Sequence, residues 1–64
     1  MCGTLKSISN RTITYEDDGK EGTVIVANGA LITLNGKPAK LKGLEAGDEI
    51  EFADDPATAV AATR

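Results

Sequence analysis

Paired carboxylates are the first residues of this 64-residue chain that have the type and spacing for chemistry. Glu49 and Glu51 alternate with Ile50, so on a strand they share one face, as a general acid and a general base would. Acid–base work needs one carboxyl group with a raised pKa inside a pocket, whereas these two occupy the polar phase of an alternating segment. We therefore expect a solvated face, or a charged edge that prevents strand-to-strand aggregation.

Two acidic turns supply oxygen atoms of the kind that a cation binds. Residues 16–21 gather acids around Gly19, and Asp54-Asp55 precedes Pro56. The first group lacks the alternating spacing and the terminal bidentate glutamate of a calcium loop. Hairpin chemistry accounts for it, since Asp and Gly tolerate the positive φ of primed turns. We predict no metal site and no cofactor, with one alternative left open: two turns that met in space would form a weak cation site.

A single cysteine and the absence of histidine restrict nucleophilic and metal chemistry further. Met1-Cys2-Gly3 resembles the processed start of the glutamine amidotransferases, where removal of Met exposes a cysteine nucleophile. Such an enzyme needs oxyanion donors and a glutamine pocket in a large layered domain, for which this chain is too short. Cys2 fits better as a small apolar residue at a strand start or as an exposed thiol able to join two chains. We predict no catalytic residue and a protein that is not an enzyme.

Lys37, Lys40 and Lys42 form the one concentrated basic patch of the sequence. Small barrels that bind nucleic acid combine such charge with exposed aromatic rings that stack on bases. Tyr15 and Phe52 are the aromatic residues here, and both have the phase of core residues. Nucleic-acid binding through the three lysines is therefore an alternative that we do not favour, and the net charge of −3 argues weakly against it.

The elements that must position these groups are short strands. β-Branched residues recur in runs separated by Gly, Asn and Asp, at the spacing of small sandwiches and barrels. Strands are predicted over residues 3–9, 11–16, 22–27, 31–34, 38–41, 49–52 and 57–63, the last with a frayed helix as the alternative. Turns are predicted at Asn10, at residues 17–20, at Asn28-Gly29, at Asn35-Gly36 and at residues 54–56.

Two local features refine this prediction. Pro38 lacks an amide donor, which places its strand at an edge. Leu41 and Leu44 are three residues apart, which favours a single 3₁₀ or α turn that presses both leucines onto the end of the sheet. The predicted core comprises Leu5, Ile8, Ile13, Tyr15, Val24, Val26, Ile32, Leu34, Leu41, Leu44, Ile50, Phe52 and Val60.

The pattern predicts one all-β domain over residues 1–64. We expect a small, strongly bent antiparallel sheet that closes into a five- or six-stranded barrel of the OB or SH3 kind. No apolar segment approaches the roughly 20 residues that cross a bilayer, and the start lacks the apolar core of a signal peptide. We expect a soluble chain with no membrane partner.

Five segments together resemble an uncharacterised bacterial family of small β-barrel modules. They are residues 3–8, 11–15, 18–21, 35–41 and 44–52, which match patterns of the form G-V-x-S-I, I-T-V, D-G-K, N-G and L-x-x-G-D-x-V-x-V. Modules of this family often occur as repeats in exported or cell-envelope proteins. The resemblance implies the fold and carries no catalytic residue.

Ile25 and Leu31 fall on the opposite phase from the predicted core positions of their strands. Two aliphatic side chains on an outer face form an apolar patch that a second chain can cover. With no catalytic group in the sequence, we expect a non-enzymatic structural or protein-interaction module, with its own copy among its partners.

Overall fold

A computed structural model describes residues 2–64, and within them the structure has six strands and one 3₁₀ turn but no α-helix. The prediction of an all-β chain is confirmed. The elements are β1 (Cys2–Ser9), β2 (Thr12–Asp17), β3 (Lys20–Leu34), β4 (Lys37–Pro38), the 3₁₀ turn (Leu41–Gly43), β5 (Glu49–Glu51) and β6 (Ala57–Thr63).

Two-residue turns join the first four strands, and each has positive φ at both residues. The angles are 48° and 64° at Asn10-Arg11, 54° and 79° at Asp18-Gly19, and 53° and 81° at Asn35-Gly36. Positive φ at both positions is the type I′ geometry, in which the turn twists in the same sense as the strands. These three turns were predicted, although the first includes Arg11, so that β2 begins at Thr12.

The strands pair in the order β2-β1-β5-β6-β3-β4, and β2 also pairs with β3. Five strands thus form a closed ring of pairings, to which β4 is added outside. The prediction of a wholly antiparallel sheet is wrong, because β3 and β6 run parallel. Five is an odd number, so chain directions cannot alternate all the way around the ring, and at least one neighbouring pair has to be parallel.

Asn28-Gly29 does not reverse the chain, contrary to the prediction. The two strands predicted on either side of it are halves of one long strand, β3, in which Gly29 has φ 76°. Between Val26 and Leu31, β3 advances five positions while β6 advances two, so the extra residues form a wide bulge. This bulge lets the first half of β3 pair with β2 and the second half with β4.

The segment after the Asn35-Gly36 turn confirms two predictions and shortens a third. β4 pairs with β3 alone, so Pro38 lies in an edge strand, but that strand ends at Pro38 instead of continuing to Leu41. Residues 39–48, which join β4 to β5 and which we call the connector, contain the predicted 3₁₀ turn, followed by the buried Leu44. Residues 57–63 form a strand and not the alternative helix.

The core fills the inside of the ring. Ten of the thirteen predicted core residues are buried, and Ile8, Leu34 and Leu41 are partly buried against them. Ala57 and Ala62 are buried as well and were not predicted. With the interior occupied by side chains of β1, β2, β3, β5 and β6, any binding has to use the outer faces or the ends of the ring.

Candidate functional site

The three lysines of the predicted patch are all exposed. Lys37 lies in β4, Lys40 precedes the 3₁₀ turn, and Lys42 lies within it. None of the ion pairs found among residues 2–64 includes any of the three. Lys42 lines a surface depression, described next, whereas Lys37 and Lys40 do not.

A depression of about 560 Å³ opens between the β1–β2 turn and the connector that carries the 3₁₀ turn. We call it the leucine depression. Its wall combines aliphatic side chains with two cations, and the residues that line it are Leu5, Ile8, Asn10, Arg11, Leu41, Lys42, Leu44 and Ala46. No acidic side chain is among them. The depression is therefore apolar along its floor and positively charged at its rim.

Arg11 is held at this rim by its backbone and by its side chain. Its φ of 64° is uncommon for a residue with a Cβ atom. Its carbonyl accepts a hydrogen bond from the Val26 amide at 2.8 Å, and its Nε and Nη2 donate to the carbonyls of Val26 and Ala27 at 3.2 and 2.5 Å. The guanidinium thus bonds to β3 just before Thr12, where the pairing of β2 with β3 begins.

Both side chains of the predicted apolar patch are exposed. Leu31 is 63% exposed and Ile25 is 55% exposed. Among residues 2–64, these two are the large hydrophobic residues that are exposed to solvent. Leu31 borders a second depression, of about 350 Å³, on the outer side of β3, β5 and β6. We call it the outer patch, and it is lined by Leu31, Thr33, Glu51, Phe52, Ala53, Ala59, Val60 and Ala61. Ile25 does not line it.

Alanines make up much of the lining of the outer patch. Leu31 pairs with Ala59, and Thr33 pairs with Ala61, along the parallel β3–β6 ladder. Small side chains beside Leu31 leave it standing above its neighbours. Glu51 is the one acidic residue at this patch, and no basic residue lines it.

The paired carboxylates lie on a solvated face. Glu49 and Glu51 are exposed, and Ile50 between them is buried. β5 pairs with β1 on one side and β6 on the other, so the alternative of a charged sheet edge is wrong. A shallow depression of about 400 Å³ runs past both glutamates and Cys2.

Within residues 2–64, the acidic turns belong to no group of three or more His, Cys, Asp or Glu side chains arranged to hold a metal ion. Asp55 instead accepts a long hydrogen bond, 3.4 Å, from the amide of Ile25. Asp18-Gly19 forms the tip of the β2–β3 hairpin, as predicted.

Cys2 is an exposed free thiol at the first position of β1. It pairs with Glu51 in the β1–β5 ladder. Of the tripeptide considered above, Met1 lies outside the described residues.

An ion pair between the buried Asp48 and the exposed Arg64 was not predicted. Asp48 is only 4% exposed, and Arg64 donates to its two carboxylate oxygens from Nε at 3.0 Å and Nη2 at 2.9 Å. The amide of Glu45 donates to the same carboxylate at 2.8 Å. These hydrogen bonds, first that from Arg64 and then that from Glu45, hold the pKa of Asp48 below its usual range, and burial opposes them.

Arg64 also makes hydrogen bonds and an ion pair with residues other than Asp48. Its guanidinium also donates to the carbonyl of Gly43 at 3.1 Å and lies 3.5 Å from the carboxylate of Glu45. Its amide donates to the side chain of Asn35 at 2.8 Å. The hydrogen bond to Asp48 raises the pKa of Arg64. The pair therefore ties the residues after β6 to the connector and to the β3–β4 turn.

Sequence reasoning missed this pair because its members are 16 residues apart and neither has a distinctive local pattern. The available signal was Gly47-Asp48 itself. Gly47 has φ 99°, which indicates a turn, and Asp side chains in turns can hydrogen-bond to neighbouring backbone groups, as Asp48 does to the amide of Glu45.

Comparisons of this chain with protein-family models, with curated proteins and with solved structures found no match. Among residues 2–64, no helix has the length and apolar character needed to span a membrane.

Proposed function

We propose that this chain is a non-enzymatic interaction module that associates with its own copy through the outer patch. We further infer that its ring of strands is a small barrel of the OB or SH3 kind, as in the bacterial modules that the sequence resembles. The ring of five pairings with a filled interior supports the barrel. The buried carboxylate of Asp48 is held by hydrogen bonds from Arg64 and so has a structural role, which supports a function in binding over one in catalysis.

The observation that carries this proposal is the position of Leu31. It is the most exposed large hydrophobic residue of the described chain, and it stands beside a depression lined mainly by uncharged side chains. Because Leu31 and the depression lie on one face, a two-fold axis through that face would set the leucine of each copy against the alanines of the other. Such a contact needs no rearrangement of either chain.

The contact should be weak. Covering one leucine that is already partly shielded contributes roughly 1 to 2 kcal/mol, and the axis doubles that contribution. Association costs about 4 kcal/mol or more, and a patch of eight residues is smaller than the 20 to 30 per partner of a stable interface. The two leucines alone therefore only about balance the cost of association, and the net affinity has to come from the alanines that they cover. We expect a dimer with a dissociation constant of about 1 mM.

Sedimentation equilibrium over a range of concentrations tests this proposal. The weight-average mass of the wild type should rise toward that of a dimer as the concentration approaches about 1 mM. Leu31→Glu should stay monomeric, because it adds a charge that the axis repeats and that lies near Glu51. Ile25→Glu is the matched control, since it makes the same change outside the outer patch. A wild type that remains monomeric, or Leu31→Glu sedimenting like the wild type, would refute self-association through this face.

Nucleic-acid binding is a second candidate, supported by the exposure of Lys37, Lys40 and Lys42. The buried aromatic rings count against it: Tyr15 and Phe52 pack edge to face, with centroids 5.2 Å apart, inside the core. Any such binding would rest on phosphate contacts alone and would weaken steeply with salt. Amide shifts that gather around the three lysines during an oligonucleotide titration, and vanish at moderate salt, would raise this candidate above the first.

A further inference from the structure

We propose that the leucine depression binds an amphipathic carboxylate, with an alkyl chain against Leu41 and Leu44 and its head group between Arg11 and Lys42. The class of ligand is a medium-chain fatty carboxylate. This site shares no residue with the outer patch, so the two proposals stand or fall separately.

The charge at the rim is the first argument. Arg11 donates to two carbonyl groups, which are neutral, so its positive charge is not cancelled. Lys42 takes part in no ion pair found within residues 2–64. The acids nearest in sequence to the depression, Glu45 and Asp48, both pair with Arg64, and neither lines the depression. Two uncompensated cations therefore face an opening with no acidic side chain in its wall.

The rigidity of Arg11 is the second argument. A guanidinium has five N–H donors, and the carbonyls of Val26 and Ala27 use two sites on it. These bonds hold the planar group in place and leave donors on the terminal nitrogens for a carboxylate. A group that is fixed before binding loses little conformational freedom when the ligand arrives.

The aliphatic floor of the leucine depression is the third argument, and it indicates that the rest of the ligand is apolar. Leu41 and Ile8 are partly buried, and the floor continues into Leu5 and Leu44 of the core. A volume of about 560 Å³ falls in the range of roughly 300 to 1,000 Å³ that is usual for small-molecule sites. A phosphate ester without an apolar part would leave this floor wet, and a nucleobase would find no exposed aromatic ring among the lining residues. An alkyl carboxylate matches both the floor and the rim.

A titration of the 64-residue chain with decanoate, followed by amide NMR, tests the proposal. We expect shifts at residues 10–11 and 41–46 and a dissociation constant of about 0.1 to 2 mM, as befits a small ligand. Decanol is the matched probe without charge and should bind more weakly. Lys42→Gln should weaken decanoate binding about two- to fivefold, the range for one exposed charge pair. Lys37→Gln removes the same charge away from the depression and should leave the affinity unchanged.

The side chain of Lys42 is exposed and takes part in none of the ion pairs found within residues 2–64, so its variant should keep the wild-type fold and report on binding. The proposal is overturned if decanoate causes no saturable shifts around the depression, or if decanol binds as tightly. It is also overturned if Lys37→Gln weakens binding as much as Lys42→Gln does. Saturable shifts with an acidic apolar peptide in the absence of any with decanoate would assign the depression to a protein partner instead. Leu31→Glu should bind decanoate as the wild type does, which separates this site from the outer patch.

Discussion

Replacing Leu44 with alanine tests whether the connector is docked as the structure shows. Leu44 is 7% exposed and is the one residue of the connector in the buried core cluster. The substitution removes three carbon atoms, which at about 0.8 kcal/mol for each buried methylene gives roughly 2.4 kcal/mol. A cavity would add to this loss, but the leucine depression adjoins the site and admits water, so the addition should be small. We expect a loss of about 2 to 4 kcal/mol out of the 5 to 10 kcal/mol usual for a small domain.

Urea unfolding followed by circular dichroism measures this loss. For a chain of this size the slope should be about 1 kcal/mol per molar urea, so the midpoint should fall by about 2 to 4 M. Leu31→Ala is the control, because it makes the same chemical change at a side chain that is 63% exposed. At protein concentrations low enough to keep the chain monomeric, the control should cost less than about 0.5 kcal/mol.

Equal losses in the two variants would refute the packing described for the connector. A loss below about 1 kcal/mol for Leu44→Ala would also refute it, because removing a buried leucine side chain destabilises a protein by more than that. If Leu44→Ala is unfolded in water, Leu44→Met keeps most of the volume and should cost less than about 1.5 kcal/mol. A methionine variant that is also unfolded would show that more than packing depends on this residue.

Three further predictions concern the ion pair and two glycines. Because the pKa of Asp48 is lowered on folding, its contribution to stability is complete above its unfolded pKa of about 3.9 and is lost as the pH falls through the folded value. Asp48→Asn should therefore be less stable than the wild type at neutral pH and should lose less stability on acidification, as urea midpoints between about pH 2 and 7 would show; parallel curves would exclude this role. Gly22→Ala should cost about 1 to 3 kcal/mol, because a Cβ there would lie 2.8 Å from the ring of Tyr15, and thermal unfolding measures it. Gly36→Val should cost about 1 to 3 kcal/mol through its φ of 81°, whereas Gly43→Val, with open space and no positive φ, should be far milder; similar losses would mean that the turn does not need its glycine.

The strands and hairpins were predictable because their determinants are local. Asp18-Gly19 and Asn35-Gly36 both accept positive φ, and alternation on either side sets which residues face inward. The same locality explains the error at Asn28-Gly29. A left-handed glycine serves a tight turn and a bulge equally well, and only the pairing of β3 with β6 distinguishes them. Long-range pairing was the missing information.

The parallel β3–β6 pair and the Asp48–Arg64 pair were out of reach for different reasons. The first follows from the number of strands in the ring, which residue patterns do not give. The second joins two ordinary charged residues across 16 positions. Of the candidate site, Ile25 and Leu31 could be predicted as exposed from their phase alone. The leucine depression could not, because it forms where the β1–β2 turn and the connector meet.

Arg11 is where the local rules and the observed structure disagree. The other two primed turns have glycine at their second position, with φ of 79° and 81°, whereas this turn holds an arginine at 64°. Glycine would adopt that conformation with less strain, so a turn under no other demand would be expected to use it. Arginine adds what glycine cannot: two hydrogen bonds to β3 and a fixed positive charge beside the apolar floor of the leucine depression. The hydrogen bonds explain why this position holds a long polar side chain. Because the uncancelled charge of Arg11 and that of Lys42 both line the leucine depression, we expect an anionic ligand to bind there in preference to the lysine patch.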